Sequence, residues 1–392
     1  MHVVILPIGY PRDPSDINGV FFREQAIALA KRKLQTAVIV PPRSLPKDPR
    51  RWSDFLRTPY YVQDEGVITY RPRFMNWSFL NSRKRTQVIK RGCRQFDGYC
   101  SAYGKPDILH AHSALIGGEI AMAISQKYHI PFVVTEHSSG FGRGMIPSCD
   151  LLKAKKVLSS ADVLVTVSAS LLHTLESSFS DTFPRARVIP NILSDDFLSS
   201  TPSSASLTGF FTFLNVGLLN PIKRQDLLLK AFLRAFERDE SVTLRIGGYG
   251  PEMKRLQKLA KELGIGNRVT FLGKLDRTQV LKEMNQCQAF VLSSEFETFG
   301  VVVIEALSQG KPVIATRCGG PEEILHAGNG ILVQKNDEKS LADAMVRLRT
   351  DYLNYESDCI REDCLDRFSE DAVVSQLVSM YEDILRKYNV KR

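Results

Sequence analysis

The sequence predicts an α/β protein made of two doubly wound, Rossmann-like domains facing each other across a cleft. Three observations carry this expectation. Short β-branched runs alternate with longer helix-like stretches, the pattern of βα units on a parallel sheet. The alternation starts again after a Ser/Thr/Pro-rich stretch at 199–209, which reads as an exposed linker edge. The 392 residues also exceed what one hydrophobic core comfortably organises. The expected domains are 1–192 and 193–369, followed by a C-terminal helix, 370–392, that packs back toward the first domain.

In the first half, strands are expected at 2–8, 36–41, 107–112, 131–137, 163–168 and 187–191. Between the first two, the apolar spacing of 21–33 suits an amphipathic helix. In the second half, strands are expected at 210–217, 242–248, 268–275, 289–294, 311–316 and 330–334, with helices at 338–349 and 370–388. Ligands of such sheets sit beyond the carboxyl ends of the strands, so functional residues are sought just after strands.

Composition narrows the class. Hydrophobic residues make up 43% and charged residues 24%, ordinary values for a soluble globular protein. No run approaches the roughly 18 apolar residues that a membrane-spanning helix needs. The chain opens on a strand-like HVVILPI rather than on a basic segment and an apolar core, so a cytoplasmic location is expected. Seven scattered cysteines without a CxxC pair read as reduced thiols. The net charge of +9 is unevenly spread: residues 1–192 carry a surplus of +11, and the remainder nets −2. An anionic partner is therefore expected for the first half. Residues 43–94 concentrate the effect, with 13 Lys+Arg against 4 Asp+Glu interleaved with aromatics such as Trp52, Tyr60, Phe74 and Trp77. That mixture suits an anionic membrane surface, and no nucleic-acid motif accompanies it.

The most specific segment is SSEFETFGVVVIEALSQGKPVIATRCGGPEEIL, 293–325. If a helix opens near Gly300, Glu305 lies in its second turn and Glu297 in the loop before it. Both carboxylates then face one pocket at a helix N-terminus, which favours a phosphate. Gly310 and Pro312 supply a helix stop. By propensity alone VVVIEAL fits a buried strand equally well. A second segment, FLNVGLLNPIKRQDLLLKAF at 213–232, places Lys223 and Arg224 after a strand.

These two segments resemble the donor-binding signature of the family-4 retaining glycosyltransferases, which have the GT-B fold. The resemblance covers essentially the whole chain and is specific over 210–335. It implies that Glu297 contacts hydroxyls of the transferred sugar and that Glu305 accepts hydrogen bonds from the nucleotide ribose. Phe299, Gly300 and Val301 are then expected to offer backbone N–H groups to the diphosphate, and the loop around Leu275 to hold the base. Lys223 matches the lysine that neutralises the diphosphate. Leu218 stands where an arginine is usual, and Arg224 where a glycine is usual, which leaves open whether Arg224 makes up the missing charge. Glu323 is expected to act as a structural cap.

In the first half, NGVFFREQ at 18–25 resembles the family's glycine-containing loop, with Gly19 letting backbone approach the donor phosphate or the acceptor. His110 and His112 read as strand-end structural residues. His137 ends the fourth strand, where the family places a histidine near the reacting carbon; Ser138, Ser139 and the loop 140–144 beside it would shape the acceptor entrance. No Cys or carboxylate completes a metal site with these histidines, so neither metal nor cofactor is expected.

The implied reaction moves a hexose or N-acetylhexosamine from a nucleotide diphosphate sugar, expected to be a UDP-sugar, to an acceptor hydroxyl. The expected acceptor is a lipid-linked glycan of cell-surface polysaccharide synthesis, met by a peripheral enzyme at the inner face of the membrane. A soluble small-molecule acceptor, a GT-B nucleotide-sugar epimerase and a non-catalytic binding subunit are the competing readings.

Overall fold

The structure is a computed structural model that describes residues 1–11, 19–41, 43–44, 61–71, 73–74, 81–201 and 209–390. The chain divides into two compact units, Met1–Ile192 with Val373–Arg392, and Leu193–Ala372.

In the first unit the strands are β1 (His2–Leu6), β2 (Gln35–Ile39), β3 (Arg43–Ser44), β4 (Tyr61–Asp64), β5 (Val67–Tyr70), β6 (Arg73–Phe74), β7 (Ile108–His112), β8 (Phe132–Glu136), β9 (Val163–Thr166) and β10 (Ala186–Val188). Eight of them form a sheet of order β10-β9-β8-β7-β1-β2-β5-β4, parallel except for the β4–β5 hairpin. β3 and β6 pair separately. β1, β7 and β8 are buried along their whole length, as both-face-covered parallel strands must be.

The core beneath them joins Val3, Ile5, Leu29 and Val133 to Val374, Leu377, Met380 and Tyr381 of the terminal helix Glu370–Val390. The end of the chain is thus part of the first unit's core. The hairpin and the long helix Asn81–Tyr103 lie in the stretch read from sequence only for charge. The hairpin's signal was the Glu65–Gly66 turn, both residues at positive φ, between two strand-like runs. The expected strand at 187–191 shrinks to an edge, Ala186–Val188.

In the second unit six parallel strands, β11 (Phe211–Val216), β12 (Val242–Gly247), β13 (Val269–Gly273), β14 (Ala289–Leu292), β15 (Val313–Thr316) and β16 (Gly330–Val333), run in the order β13-β12-β11-β14-β15-β16. Relative to the first of the six, this is the 3-2-1-4-5-6 order of a dinucleotide fold, which reverses between β11 and β14. The segment VVVIEALS is a helix, Val301–Ser308. Tertiary burial decides what propensity left open: Val303, Ile304, Ala306 and Leu307 are all fully buried. The helix is closed by a Schellman pair, Gly310 N–H to the Leu307 carbonyl at 2.8 Å and Lys311 N–H to that of Ala306 at 3.1 Å.

Candidate active site

The order reversal of the second sheet places the carboxyl ends of β11 and β14 side by side, and the two most specific motifs meet there. Lys223 ends the short turn Pro221–Lys223 after β11, and Glu297 lies in the loop after β14. Lys223 Nζ donates to Glu297 Oε1 at 2.5 Å, and Ser294 Oγ donates to the same oxygen at 2.7 Å. The turns themselves are tied by Glu295 N–H to the Ile222 carbonyl at 2.8 Å and Ser293 Oγ to that of Lys223, also at 2.8 Å.

The backbone of Glu297 runs alongside Cys318–Gly320, bonding to the Cys318 carbonyl at 2.8 Å and accepting from Gly320 N–H at 3.0 Å. A Cβ at Gly320 would stand 2.2 Å from the Cα of Phe299, so this close approach requires glycine. Phe299 is buried against the ring of Phe368, centroids 5.8 Å apart. Gly300, at φ 101, caps the helix without a side-chain acceptor. The amides of Phe299, Gly300 and Val301 therefore stand where a helix has no carbonyl of its own to meet them.

Glu305 sits one turn into that helix with its side chain 13% exposed. Burial pushes its carboxyl above the ordinary glutamate range, Arg277 opposes the shift, and Asp196 adds to it. Arg277 Nη2 lies 3.9 Å from Glu305 Oε1, and Arg277 Nε lies 3.3 Å from Asp196 Oδ2. Leu275 follows β13 and covers Gly247, at which a Cβ would stand 2.6 Å from Leu275 Cδ1.

Arg224 is placed elsewhere. Its Nε lies 3.3 Å from Asp226 Oδ1, and Nη1 donates to Asn336 Oδ1. Its φ of 48 lies in the left-handed region, where a side chain costs about 1–2 kcal/mol and glycine would be free of that cost. Leu218 is 45% exposed at the end of β11. In the loop before the short helix Pro321–Ile324, the Glu322 carboxylate accepts from Gly319 N–H at 3.2 Å.

In the first unit the sheet order reverses between β1 and β7, and the sequence-selected residues gather at that point too. Gly19, at φ 79, opens the helix Val20–Lys31; a Cβ there would meet the Gly9 carbonyl oxygen at 2.9 Å. The next turn carries Phe21 and Phe22, whose rings stand 4.9 and 5.2 Å from that of His137. His137 Nε2 bonds to His112 Nδ1 at 3.0 Å, and the stacked His110 ring bonds to Tyr381 at 2.5 Å and Thr135 at 2.6 Å. Burial holds all three imidazoles neutral: His110 and His137 are pushed down to about 3, and His112 well below its usual value.

Sequence reasoning passed over Glu136, which is fully buried and accepts from the amides of Ala114, His137 and Ser138 at 2.8–2.9 Å. It fixes the ends of β7 and β8 together, next to a strained backbone in which Ser113 (φ 74) and Ile116 (φ 63) are left-handed. Such strain concentrates at functional sites. The available signal was the carboxylate closing an apolar strand. Arg277 was also passed over, although a cation at the first position of a helix opposes the helix dipole and calls for a partner.

Most of 43–60 and 75–80, with Trp52, Tyr60 and Trp77, lies outside the described residues. Two cations of the basic segment are committed internally. Arg71 is buried over the Tyr10 ring, and Arg85 pairs with Glu119 at 2.5 Å and Asp150 at 2.9 Å. Among the described residues no group of three or more His, Cys, Asp or Glu side chains could hold a metal ion, and no helix is long and apolar enough to cross a membrane.

Two family models match the chain in succession: Glycosyltransferase Family 4 over residues 19–197, and Glycosyl transferases group 1 over residues 200–362. The chain is 26% identical over 348 residues to an uncharacterized glycosyltransferase of Methanocaldococcus jannaschii, covering 83% of this chain and 86% of that protein. It is 29% identical over 295 residues to the N-acetyl-alpha-D-glucosaminyl L-malate synthase of Bacillus anthracis, covering 71% and 75%. Among solved structures, sucrose-phosphate synthase of Thermosynechococcus elongatus has a similar fold, with a TM-score of 0.78 at 20% identity over 99% of this chain and 100% of that one. HepE of Anabaena, in complex with UDP and glucose, has a TM-score of 0.74 at 19% identity over 98% and 100%. With both halves matched and the paired α/β units in place, the chain belongs to the group 1 glycosyl transferases and is a glycosyltransferase of the GT-B fold.

Proposed function

We propose that this glycosyltransferase moves a hexosyl or N-acetylhexosaminyl residue from a UDP-sugar to an acceptor hydroxyl, retaining the anomeric configuration and using no metal ion. The observation that carries the reading is the Lys223–Glu297 pair at the switch point of the second sheet, beside the open start of helix Val301–Ser308. A diphosphate arriving there draws Lys223 from Glu297 and takes the amides of Phe299, Gly300 and Val301. Glu297 is then free to accept from sugar hydroxyls, while Glu305 takes the ribose and the Leu275 loop the base. The C1–phosphate bond breaks, the bond from C1 to the acceptor oxygen forms on the same face, and the departing phosphate oxygen takes the acceptor proton. The leaving group is already activated, so positioning and charge stabilisation supply the rate. Gly19 and the neutral His137 are the first unit's residues assigned to the substrates. UDP is favoured because the similarly folded HepE was solved with UDP and glucose.

For the acceptor we propose a lipid-linked glycan at an anionic membrane surface. The first half carries the basic surplus, and Met145 and Leu152 are 61% and 73% exposed, with Lys153 and Lys156 exposed on the same helix as Leu152. A small soluble acceptor is the second reading. It is favoured by the internal pairing of Arg71 and Arg85 and by the malate-directed name of one relative.

The test is a panel of UDP-, GDP- and ADP-sugars with chelator present, the product's anomeric configuration being read by NMR. Turnover of a UDP-sugar with retention supports the reading. Inversion, or activity lost to EDTA and restored by Mn²⁺, overturns it. Binding to anionic but not neutral vesicles, weakened by salt and by joint substitution of Leu152, Lys153 and Lys156, selects the lipid-linked acceptor; indifference to vesicles selects the soluble one.

A further inference from the structure

Arg277 occupies the first position of helix Arg277–Gln286, behind the capping box of Asp276 and Gln279. A cation at that end faces the positive pole of the helix, so something outside the helix must favour it there. Three groups do. Its guanidinium lies over the fully buried Phe197, with Cζ 5.9 Å from the ring centroid. Asp196, beside Phe197, holds Nε at 3.3 Å, and Glu305 faces Nη2 at 3.9 Å. The latter distance is too long for a hydrogen bond but close enough for charge pairing.

We propose that Arg277 is a positioning residue of the donor site, keeping the Glu305 carboxylate charged and in place while leaving its oxygens open to a ribose diol. The proposal rests on the reading of Glu305 as the ribose acceptor. The groups that bear electrostatically on Glu305 are Arg277, which favours its charge, and Asp196, which opposes it. From the helix Ser357–Phe368 packed on the same side, Arg361 is directed to the Ser308 carbonyl and Cys364 to that of Ile304. Without Arg277 the carboxyl is left with burial and Asp196, both of which favour its protonated form, a poorer acceptor for two hydroxyls.

Dissociation constants of UDP, GDP and ADP, measured by calorimetry from mildly acidic to mildly alkaline pH, test this on the full chain. For the nucleotide that the parent protein binds, Arg277→Met is expected to weaken binding by a factor that grows as pH falls and levels off at about tenfold, the most that a shift of about one pH unit produces. Arg277→Lys keeps the charge and is expected to show a smaller shift in the same direction. Glu305→Gln is expected to bind weakly with a flat profile, alone or combined with Arg277→Met. A parent-like affinity and pH profile in Arg277→Met, with Glu305→Gln impaired, overturns the positioning role alone. Parent-like binding by Glu305→Gln, or a parent that binds none of the three nucleotides, overturns the donor-site reading and this proposal with it.

Discussion

Lys223 Nζ lies 2.5 Å from Glu297 Oε1, an ion pair between residues 74 apart in sequence that β11 and β14 bring together. Each group is assigned a different substrate partner, the diphosphate for Lys223 and the sugar for Glu297. The pair therefore neutralises two half-buried charges until the donor replaces both contacts, and the assigned chemistry depends on that exchange.

Glu305→Ala should weaken nucleotide diphosphate binding by about 1.5–3 kcal/mol, the value of hydrogen bonds to a charged acceptor. Stability should not suffer from Glu305→Gln, because burial already disfavours the ionised carboxylate. Calorimetric titration and thermal melts measure the two effects. Nucleotide affinity unchanged in Glu305→Ala removes this residue from the site.

Leu218→Arg should tighten nucleotide diphosphate binding by roughly 1 kcal/mol or more, since a guanidinium just after β11 adds a second cation to the proposed diphosphate site. Leu218 is exposed, so the longer side chain has room. Arg224→Gly should leave turnover unchanged, because Arg224 is engaged with Asp226 and Asn336. A large loss of turnover in Arg224→Gly would mean that Arg224 moves onto the diphosphate when donor binds.

The histidine ladder gives the first unit an acid-sensitive stability. His110, His112 and His137 have folded-state pKa values well below the unfolded value near 6.5, so the unfolded chain binds more protons between these limits. Stability is then complete above about pH 6.5 and falls with pH, by about 1 kcal/mol per histidine per unit, until the folded-state values near 3 are reached. Melts at successive pH values should show this slope, and His110→Gln should make it shallower, since one buried imidazole is removed and its repulsion on the other two is relieved. A flat melting profile through this window would contradict the buried, neutral assignment.

What the sequence disclosed follows from where its information is local. The alternation of strands and helices and the helix stop at Gly310 are set by neighbours along the chain, and both are legible; most of the stretch 199–209, read as a linker edge, lies outside the described residues. The helical state of Val301–Ser308 was not, because β-branched residues favour a strand and only burial of Val303, Ile304 and Leu307 reverses that preference. Lys223 and Glu297 stood out through motif spacing, but their direct contact depends on strand order, which no local pattern reveals. Arg277 and Glu136 were passed over for the same reason: their partners, Glu305 and the amides after β7 and β8, are distant in sequence. The basic stretch 43–94 looked like a free charged surface until Arg71 and Arg85 proved to be paired inside the first unit.

The most direct test is a double-mutant cycle on donor turnover with Lys223→Ala, Glu297→Gln and the combined variant, each checked for parent-like melting. Each single change should lower kcat by about 10²–10³, the cost of removing one charge-stabilising group, and the double should lose much less than the product of the two. Turnover at the parent rate in all three variants would contradict the assignment of this pair as the centre of the transfer site.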